Sequence, residues 1–219
     1  AEVFHAGAND FVSKPIFEEI FIARIRSLLL IKQQFLALKQ QAEEMGRIAS
    51  TDSLTGVRSK RYLLDNGKRL LAASARNKEP LSALIMDIDH FKKINDLLGH
   101  LTGDHVLAGI GELLNQLFPD DTVVRFGGEE FSILFSNTPP EQAIAQAETL
   151  RQQLEGLRPA NVDVTVSIGV ASTIDYPEAD ITKLLAQADK ALYAAKERGR
   201  NRVCVAHIEG PQDLTALAS

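Results

Sequence analysis

The stretch LSALIMDI, from Leu81 to Ile88, decides the fold of this chain. Its nearly continuous apolar run is typical of a short β-strand that is buried on both faces. Helix-period patterns lie on both sides of it, at 59–77 and at 91–118, and the second is interrupted around 99–103. A buried strand between helical segments predicts a central sheet that is covered by helices.

The segments that follow extend this sheet. Short apolar segments at 122–126 and 130–135, joined by Gly127 and Gly128, predict a β-hairpin. The later pattern predicts a helix at 139–157, a strand at 162–171, a helix at 181–198 and a strand at 202–206. The predicted fold class is therefore α/β, with a mixed central sheet flanked by helices.

A helical pattern without proline covers 16–50, ahead of the α/β segment. Its apolar residues recur at spacings of three and four, as an a/d repeat of Leu28, Ile31, Phe35, Leu38, Ala42, Met45 and Ala49. One interpretation is a helix that lies on its own domain. The narrow seam, with polar residues around it, favours a two-helix coiled coil, so we predict an N-terminal helical coiled-coil stalk.

The composition excludes several classes of protein. The 219 residues are 45% hydrophobic and 24% charged, which is ordinary for a globular chain. A net charge of −5 argues against a broad nucleic-acid-binding surface, and the single Cys204 excludes an intramolecular disulfide and a multi-cysteine zinc site. Since no apolar run approaches the roughly 18 residues of a membrane span, we expect a cytoplasmic protein without membrane or nucleic-acid partners.

Acidic residues at two strand ends are the first candidates for chemistry. Asp87 and Asp89 lie at the carboxyl end of the buried strand, on one face, and paired oxygen ligands suit a hard cation such as Mg²⁺. Glu129 and Glu130 follow the Gly-Gly pair, which allows a tight turn with exposed N–H groups. A solvated strand end and a charged hairpin turn are the ordinary explanations. Neither accounts for both motifs at neighbouring strand ends.

The string from Gly127 to Phe131, GGEEF, resembles the signature of the GGDEF family, the diguanylate cyclases, in its Glu-Glu form. Four further segments resemble family motifs in the right order: TDSLTG at 51–56, DIDHFKKIND at 87–96 continuing to Asp104, SIGVA at 167–171, and ADKALYAAK at 188–196 continuing to Asn201. The resemblance covers roughly 51–205.

The resemblance implies condensation of two GTP molecules into cyclic di-GMP with release of pyrophosphate, on a fold similar to nucleotidyl cyclase and polymerase palm domains. It implies that Asp87, the carbonyl of Ile88 and Glu129 hold the metal, Mg²⁺ with Mn²⁺ as an alternative. Such a cation would neutralise charge on the α-phosphate while a 3′-hydroxyl attacks. Glu129 and Glu130 are both candidates for the catalytic base. Asp89 is expected to be structural.

The resemblance also implies a set of substrate-binding residues. Asn95 and Asp104 would bind guanine, whose N1–H and N2–H₂ donors suit one buried carboxylate, and His100 would line the nucleotide site. The phosphates would be bound by Lys92, the backbone of Phe91 and Lys92 at a helix start, and Lys196 with Arg200, which follow the last helix at a spacing of four and so project from one side. The ordinary alternatives are a helix-surface residue for Asn95, a helix cap for Asp104, a loop histidine for His100 and a basic helix end for the last pair.

One departure from the family pattern concerns regulation. Many members carry an Arg-x-x-Asp product-inhibition site, and here Asp121 fills the Asp position while Phe118 stands in place of Arg. Because an aromatic ring cannot make the bidentate charged contact of Arg, we expect this form of feedback to be weak.

The N-terminal residues 7–15 resemble the end of a response-regulator receiver domain. We therefore predict a receiver remnant at 1–27, a coiled-coil linker helix at 28–50, the GGDEF catalytic domain at 51–207 and a C-terminal tail at 208–219. The expected partners are GTP, a second copy of the chain through the N-terminal helix, and an upstream receiver and histidine kinase in the parent protein. The alternatives are a non-catalytic sensor of GTP or cyclic di-GMP and a dimerisation element alone.

Overall fold

A computed structural model describes residue 15, residues 17–207 and the backbone of 212–213, without the side chains of 42–49. The chain divides into two compact units, residues 1–48 and 49–219. Of the expected receiver remnant at 1–27, residues 1–14 and 16 lie outside the described residues. In the described part of the chain, no helix is both long and apolar enough to cross a membrane.

Helix α1, Glu18–Ser50, contains the described residues of the first unit other than 15 and 17. Glu18 and Glu19 lie in its first turn, where carboxylates interact favourably with the helix dipole. The side chains from 17 to 41 are all exposed, including the seam residues Leu28, Ile31, Phe35 and Leu38. The remaining seam positions, Ala42, Met45 and Ala49, fall among the side chains outside the description.

The second unit is a seven-stranded sheet with helices on both faces. Its elements are β1 Arg58–Ser59, α2 Lys60–Asn77, β2 Leu81–Ile88, α3 Phe91–Leu98, α4 His100–Leu117, β3 Thr122–Gly127, β4 Glu130–Ser136, α5 Pro140–Leu157, the 3₁₀ helix Pro159–Asn161, β5 Val166–Ser172, α6 Ile181–Glu197, β6 Val203–Val205 and β7 Gln212–Asp213. The strand order is β1-β3-β4-β2-β5-β6-β7, with parallel pairs β1–β3 and β5–β6 and antiparallel neighbours elsewhere. The prediction of a mixed α/β sheet is confirmed.

Most element ends lie within one residue of the sequence-based prediction, and three features differ more. Strand β5 begins at Val166 rather than at 162, because Ala160 and Asn161 have left-handed φ values of 52° and 60° that turn the chain before the sheet. The break between α3 and α4 is confined to Gly99. The short strand β7 pairs with β6 inside the segment predicted to be a tail.

Strand β2 lies at the centre of the sheet and is buried along its whole length, as predicted. Its residues alternate between two cores: Met86 and Ile88 pack in the core that includes α4 and α5, while Ala83 and Ile85 pack in the core that includes α2 and α6. Asp87 alternates in phase with Ala83 and Ile85, so it lies on the same face of the strand. Its side chain is therefore directed toward α6 at the end of the strand.

Candidate active site

Asp87 is a buried carboxylate at the end of β2, with 8% of its surface exposed. Its Oδ2 atom lies 2.8 Å from Nζ of Lys196, in the last turn of α6. Burial raises the pKa of Asp87, while the hydrogen bond and charge of Lys196 and the charge of Arg200 act in the opposite direction. Both predicted phosphate-binding cations therefore act on the carboxylate that was predicted to bind metal.

The hairpin between β3 and β4 brings the signature acids to the same place. The register pairs Asp87 with Glu130, and the amide of Ile88 donates a 3.4 Å hydrogen bond to the carbonyl of Glu129. Glu129 and Glu130 are both half-buried. The site residues Asp87, Ile88, Glu129 and Glu130 thus come together at one corner of the sheet.

Arg125 holds the turn of this hairpin. Its Nε and Nη2 atoms donate to the carbonyl of Gly128 at 3.0 and 2.7 Å, and Nη1 donates to the carboxylate of Asp52 at 3.1 and 3.3 Å. Asp52 also accepts from the amide and hydroxyl of Thr55 at 3.0 and 2.7 Å. Sequence reasoning gave Asp52 and Arg125 no role, although both lie in or beside the quoted motifs. Their separation of 73 residues concealed the contact.

Negative charge accumulates at the hairpin. Burial raises the pKa of Glu130, and the charges of Asp87, Asp189 and Glu129 raise it further, while Lys196 lowers it. Among the described residues, no group of three His, Cys, Asp or Glu side chains could by itself hold a metal ion. The donors present are carboxylate oxygens with excess negative charge. They fit a hard divalent cation that takes its other ligands from substrate or water.

Asp89 lies beyond the last residue of β2 and has different partners from Asp87. Its carboxylate accepts hydrogen bonds from the hydroxyls of Thr165 and Ser167 at 2.8 and 2.7 Å and from the amide of Asn201 at 3.0 Å. It is 6% exposed. These hydrogen bonds make Asp89 a structural link between the end of β2, the start of β5 and the loop after α6.

The corner between α3 and α4 holds the predicted base-binding residues. A side chain at position 103 would collide with Oδ1 of Asn95. Gly103, the residue before Asp104, therefore allows Asn95 to lie close to the start of α4. Asn95 is half-buried, while His100 and Asp104 are exposed. The expectation of a buried Asp104 is therefore wrong, because α4 begins at His100 and turns this position outward. Asp104 is not a cap either, since the N-cap of α4 is Gly99.

The cationic residues reach the site from two elements. Helix α3 begins at Phe91, and its N-cap, His90, makes no side-chain hydrogen bond to the first turn. Lys92 is exposed there. Helix α6 ends at Glu197, one residue before the predicted end, so Lys196 lies in its last turn and Arg200 in the following loop. The loop nevertheless brings the charge of Arg200 close enough to lower the pKa of Asp87.

The position where many family members carry Arg is buried in this protein. The ring of Phe118 is 7% exposed and packs edge-on against Phe135 at a centroid distance of 5.3 Å. Asp121 accepts a 3.3 Å hydrogen bond from the amide of Ser136, and burial raises its pKa. The Phe118 side chain therefore belongs to the core, and Asp121 has no arginine three residues before it.

Comparison with known proteins assigns the family. The family profile described as "Diguanylate cyclase, GGDEF domain" matches residues 49–202. The chain belongs to this GGDEF family. The response regulator PleD of Caulobacter vibrioides (strain NA1000 / CB15N) is 36% identical over 208 residues, which cover 90% of this chain and 45% of PleD. The diguanylate cyclase DosC of Escherichia coli (strain K12) is 36% identical over 188 residues, covering 84% of this chain and 40% of DosC. This GGDEF chain thus spans less than half the length of these curated relatives.

Solved GGDEF structures resemble the second unit and part of the first. The coiled coil and GGDEF domain of DgcB from Caulobacter crescentus, in complex with c-di-GMP, matches with a TM-score of 0.73 and 29% identity, covering 84% of this chain and 100% of that one. The active GGEEF domain of a diguanylate cyclase from Vibrio cholerae matches with a TM-score of 0.63 and 37% identity, covering 67% and 96%. The GGDEF fold is confirmed.

Proposed function

We propose that this chain is the catalytic part of a diguanylate cyclase, which condenses two GTP molecules into cyclic di-GMP and releases two pyrophosphates. The observation that carries the proposal is the convergence of Asp87, Glu129 and Glu130 beside Lys196 at one end of the sheet. Family membership supports it, because relatives that cover this chain are named diguanylate cyclases.

Asp87, Glu129 and the carbonyl of Ile88 would hold a divalent cation, for which we propose Mg²⁺ and, as an alternative, Mn²⁺. When bound, the cation would neutralise negative charge on the triphosphate as the α-phosphate is attacked. The accumulated charge around Glu130 supports this assignment, because a cation would relieve it. In the absence of substrate, the ammonium of Lys196 offsets part of the negative charge by its ion pair with Asp87.

The attacking 3′-hydroxyl must lose a proton, and Glu129 and Glu130 are the two candidate bases. The raised pKa of Glu130 brings this carboxyl closer to the working pH, which favours proton transfer. Glu129 is the candidate that would also contact the cation. Separate Gln variants of the two residues distinguish the roles, since loss of the base lowers kcat and loss of a cation ligand raises the metal concentration that is required.

The nucleotide would bind with guanine at the α3–α4 corner and phosphates near the sheet end. Asp104 would accept N1–H and N2–H₂ of guanine, Asn95 would contact the same base and His100 would line this site. Lys92 and the backbone N–H groups of Phe91 and Lys92, in a first turn that receives no side-chain cap bond from His90, would bind phosphate together with Lys196 and Arg200.

Each domain would hold one GTP, so synthesis needs two domains that face each other. We propose a parallel homodimer through α1, whose seam residues from Leu28 to Leu38 are exposed in the isolated chain. Association through this helix would raise the effective concentration of the second domain. The similarity to the response regulator PleD, over 90% of this chain, supports an upstream receiver and its histidine kinase in the parent protein, in a cytoplasmic setting.

The test is incubation of the purified chain with GTP and Mg²⁺, followed by chromatographic separation of the products. We expect cyclic di-GMP to form and its formation to stop when the cation is chelated with EDTA. GTP that is bound but unchanged with saturating cation would instead indicate a sensor.

A further inference from the structure

The loop after α6 has an unusual backbone for the residues it contains. Gly199, Arg200 and Asn201 are three consecutive residues with left-handed φ values of 113°, 66° and 46°. Glycine adopts this conformation readily, but arginine and asparagine do so at a cost in free energy. Arg200 can keep this conformation only if its surroundings hold the loop in place.

The amides of Gly199 and Arg200 bond back to the end of α6, and Asn201 ties the loop to the rest of the domain. Its backbone amide donates to Oδ2 of Asp89 at 3.0 Å, and its side-chain Oδ1 accepts from Nη1 of Arg151 at 2.8 Å. Its Nδ2 donates to Glu155 at 3.2 Å. One residue therefore ties the loop to the end of β2 and to helix α5.

Both anchors of Asn201 are themselves fixed. Asp89 accepts hydrogen bonds from two hydroxyls of the β5 segment, as described above. Arg151 is 9% exposed and binds Glu148 and Glu155 at 2.7 and 2.9 Å on its own helix. The contacts span 112 residues to Asp89 and 50 residues to Arg151, so they fix the loop relative to the whole sheet.

We propose that Asn201 is a positioning residue for nucleotide binding. It holds the left-handed turn that carries Arg200, so that this guanidinium is kept in place for the triphosphate of the proposed substrate. The proposal rests on the proposed function for the identity of the nucleotide. It concerns Asn201 itself, which does not touch the nucleotide and acts through Arg200.

A double-mutant cycle tests this inference by calorimetric titration with a non-hydrolysable GTP analogue and Mg²⁺. We expect Arg200→Ala and Asn201→Ala each to weaken binding about tenfold, the scale of one charge-assisted contact. If Asn201 acts only through Arg200, the double variant binds as weakly as Arg200→Ala alone. The proposal would be overturned if the double variant bound about a hundredfold more weakly than the wild type, the product of the two single losses, or if Asn201→Ala bound as well as the wild type.

Two further variants separate positioning from a general effect on folding. Asn137→Ala makes the same change at an exposed asparagine with a left-handed φ of 51°, and it should leave analogue binding unchanged. If Asn201→Ala does not fold, Asn201→Gly replaces it in the cycle, because glycine tolerates this φ and keeps the amide that binds Asp89.

The same titration separates this inference from the proposed activity. Wild-type protein that binds the analogue but synthesises no cyclic di-GMP would contradict the activity alone, and the cycle would still decide the role of Asn201. Wild-type protein that binds no analogue would contradict both.

Discussion

Apolar side chains are usually buried and charged side chains usually exposed. Helix α1 departs from this rule by exposing apolar side chains, and the end of strand β2 departs from it by burying carboxylates. On α1, large apolar side chains such as Phe35 and Leu38 are 65% and 64% exposed. At the end of β2, the carboxylates of Asp87 and Asp89 are 8% and 6% exposed. Exposed apolar surface calls for a second chain, whereas buried charge calls for a counter-ion or a ligand. We propose that the exposed seam of α1 marks the surface for a second chain and that buried Asp87 marks a cation site, whereas Asp89 is satisfied by its own hydrogen bonds.

The largest expected effect comes from removing the buried charge. Asp87→Asn or Glu129→Gln should lower cyclic di-GMP synthesis on the order of a thousandfold, because the loss of a cation ligand removes several kcal/mol of charge stabilisation. The measurement is the initial rate with GTP and Mg²⁺, alongside circular dichroism to check the fold. Asp65→Asn, in an exposed ion pair on α2, is the matched control. Full activity in either site variant would remove the residue from the proposed cation site.

A smaller effect is expected from charging the exposed apolar seam. Replacing Phe35 and Leu38 by Glu places like charges at the dimer seam and should favour monomers. At micromolar protein, activity should fall about a hundredfold and rise with protein concentration, because the second domain is no longer held nearby.

Light scattering together with rate measurements checks the seam. Gln33→Glu with Gln40→Glu adds the same charge outside the seam and should leave the dimer intact. A monomeric wild-type protein with full, concentration-independent activity would refute the role of α1.

Base selectivity should change about tenfold. Asp104→Ala removes the acceptor proposed for the two guanine donors, so the preference for GTP over ATP in kcat/KM should fall by at least about this factor. Competition assays with both nucleotides measure it, with Glu112→Ala on the same helix as control. A variant that keeps the wild-type preference would place guanine recognition elsewhere.

The smallest effect concerns the stability cost of the charge at the hairpin. The pKa of Glu130 is raised in the folded state, chiefly by burial. Ionised Glu130 therefore destabilises the fold at a pH above this pKa, and the destabilisation disappears as the pH falls through it. Glu130→Gln should therefore raise the free energy of unfolding at pH 7 by less than about 0.5 kcal/mol, because solvent screens this half-exposed group. The gain should vanish at pH 4.

Urea denaturation at the two pH values measures this difference, with the exposed Glu178→Gln as control. A stability gain that persists unchanged at pH 4 would show that charge is not its cause.

The sheet was predictable because its strands and helices carry distinct periodicities, and the central strand was placed at Leu81–Ile88 without error. The errors fall where contacts distant in sequence or backbone turns decide the structure. The start of β5 depends on the left-handed residues Ala160 and Asn161, which no hydrophobic pattern reveals.

The candidate site was predictable as a set of residues but not as a network. The motifs identified the acids and the cations, because metal and phosphate chemistry limits the residue types that can serve. They did not reveal that Arg125 joins Asp52 to the hairpin or that Arg151 reaches Asn201, since these contacts span 73 and 50 residues. Nor did they show that the ring of Phe118 turns into the core.

The most direct test of the proposed cyclase activity is the stoichiometry of the reaction. Purified protein is incubated with GTP and Mg²⁺, and GTP, cyclic di-GMP and pyrophosphate are quantified together by phosphorus NMR as the reaction proceeds. The account predicts that each cyclic di-GMP forms with consumption of two GTP and release of two pyrophosphates, and that Asp87→Asn forms none. Bound GTP that remains unconsumed, or GTP converted to GDP and phosphate, would contradict it.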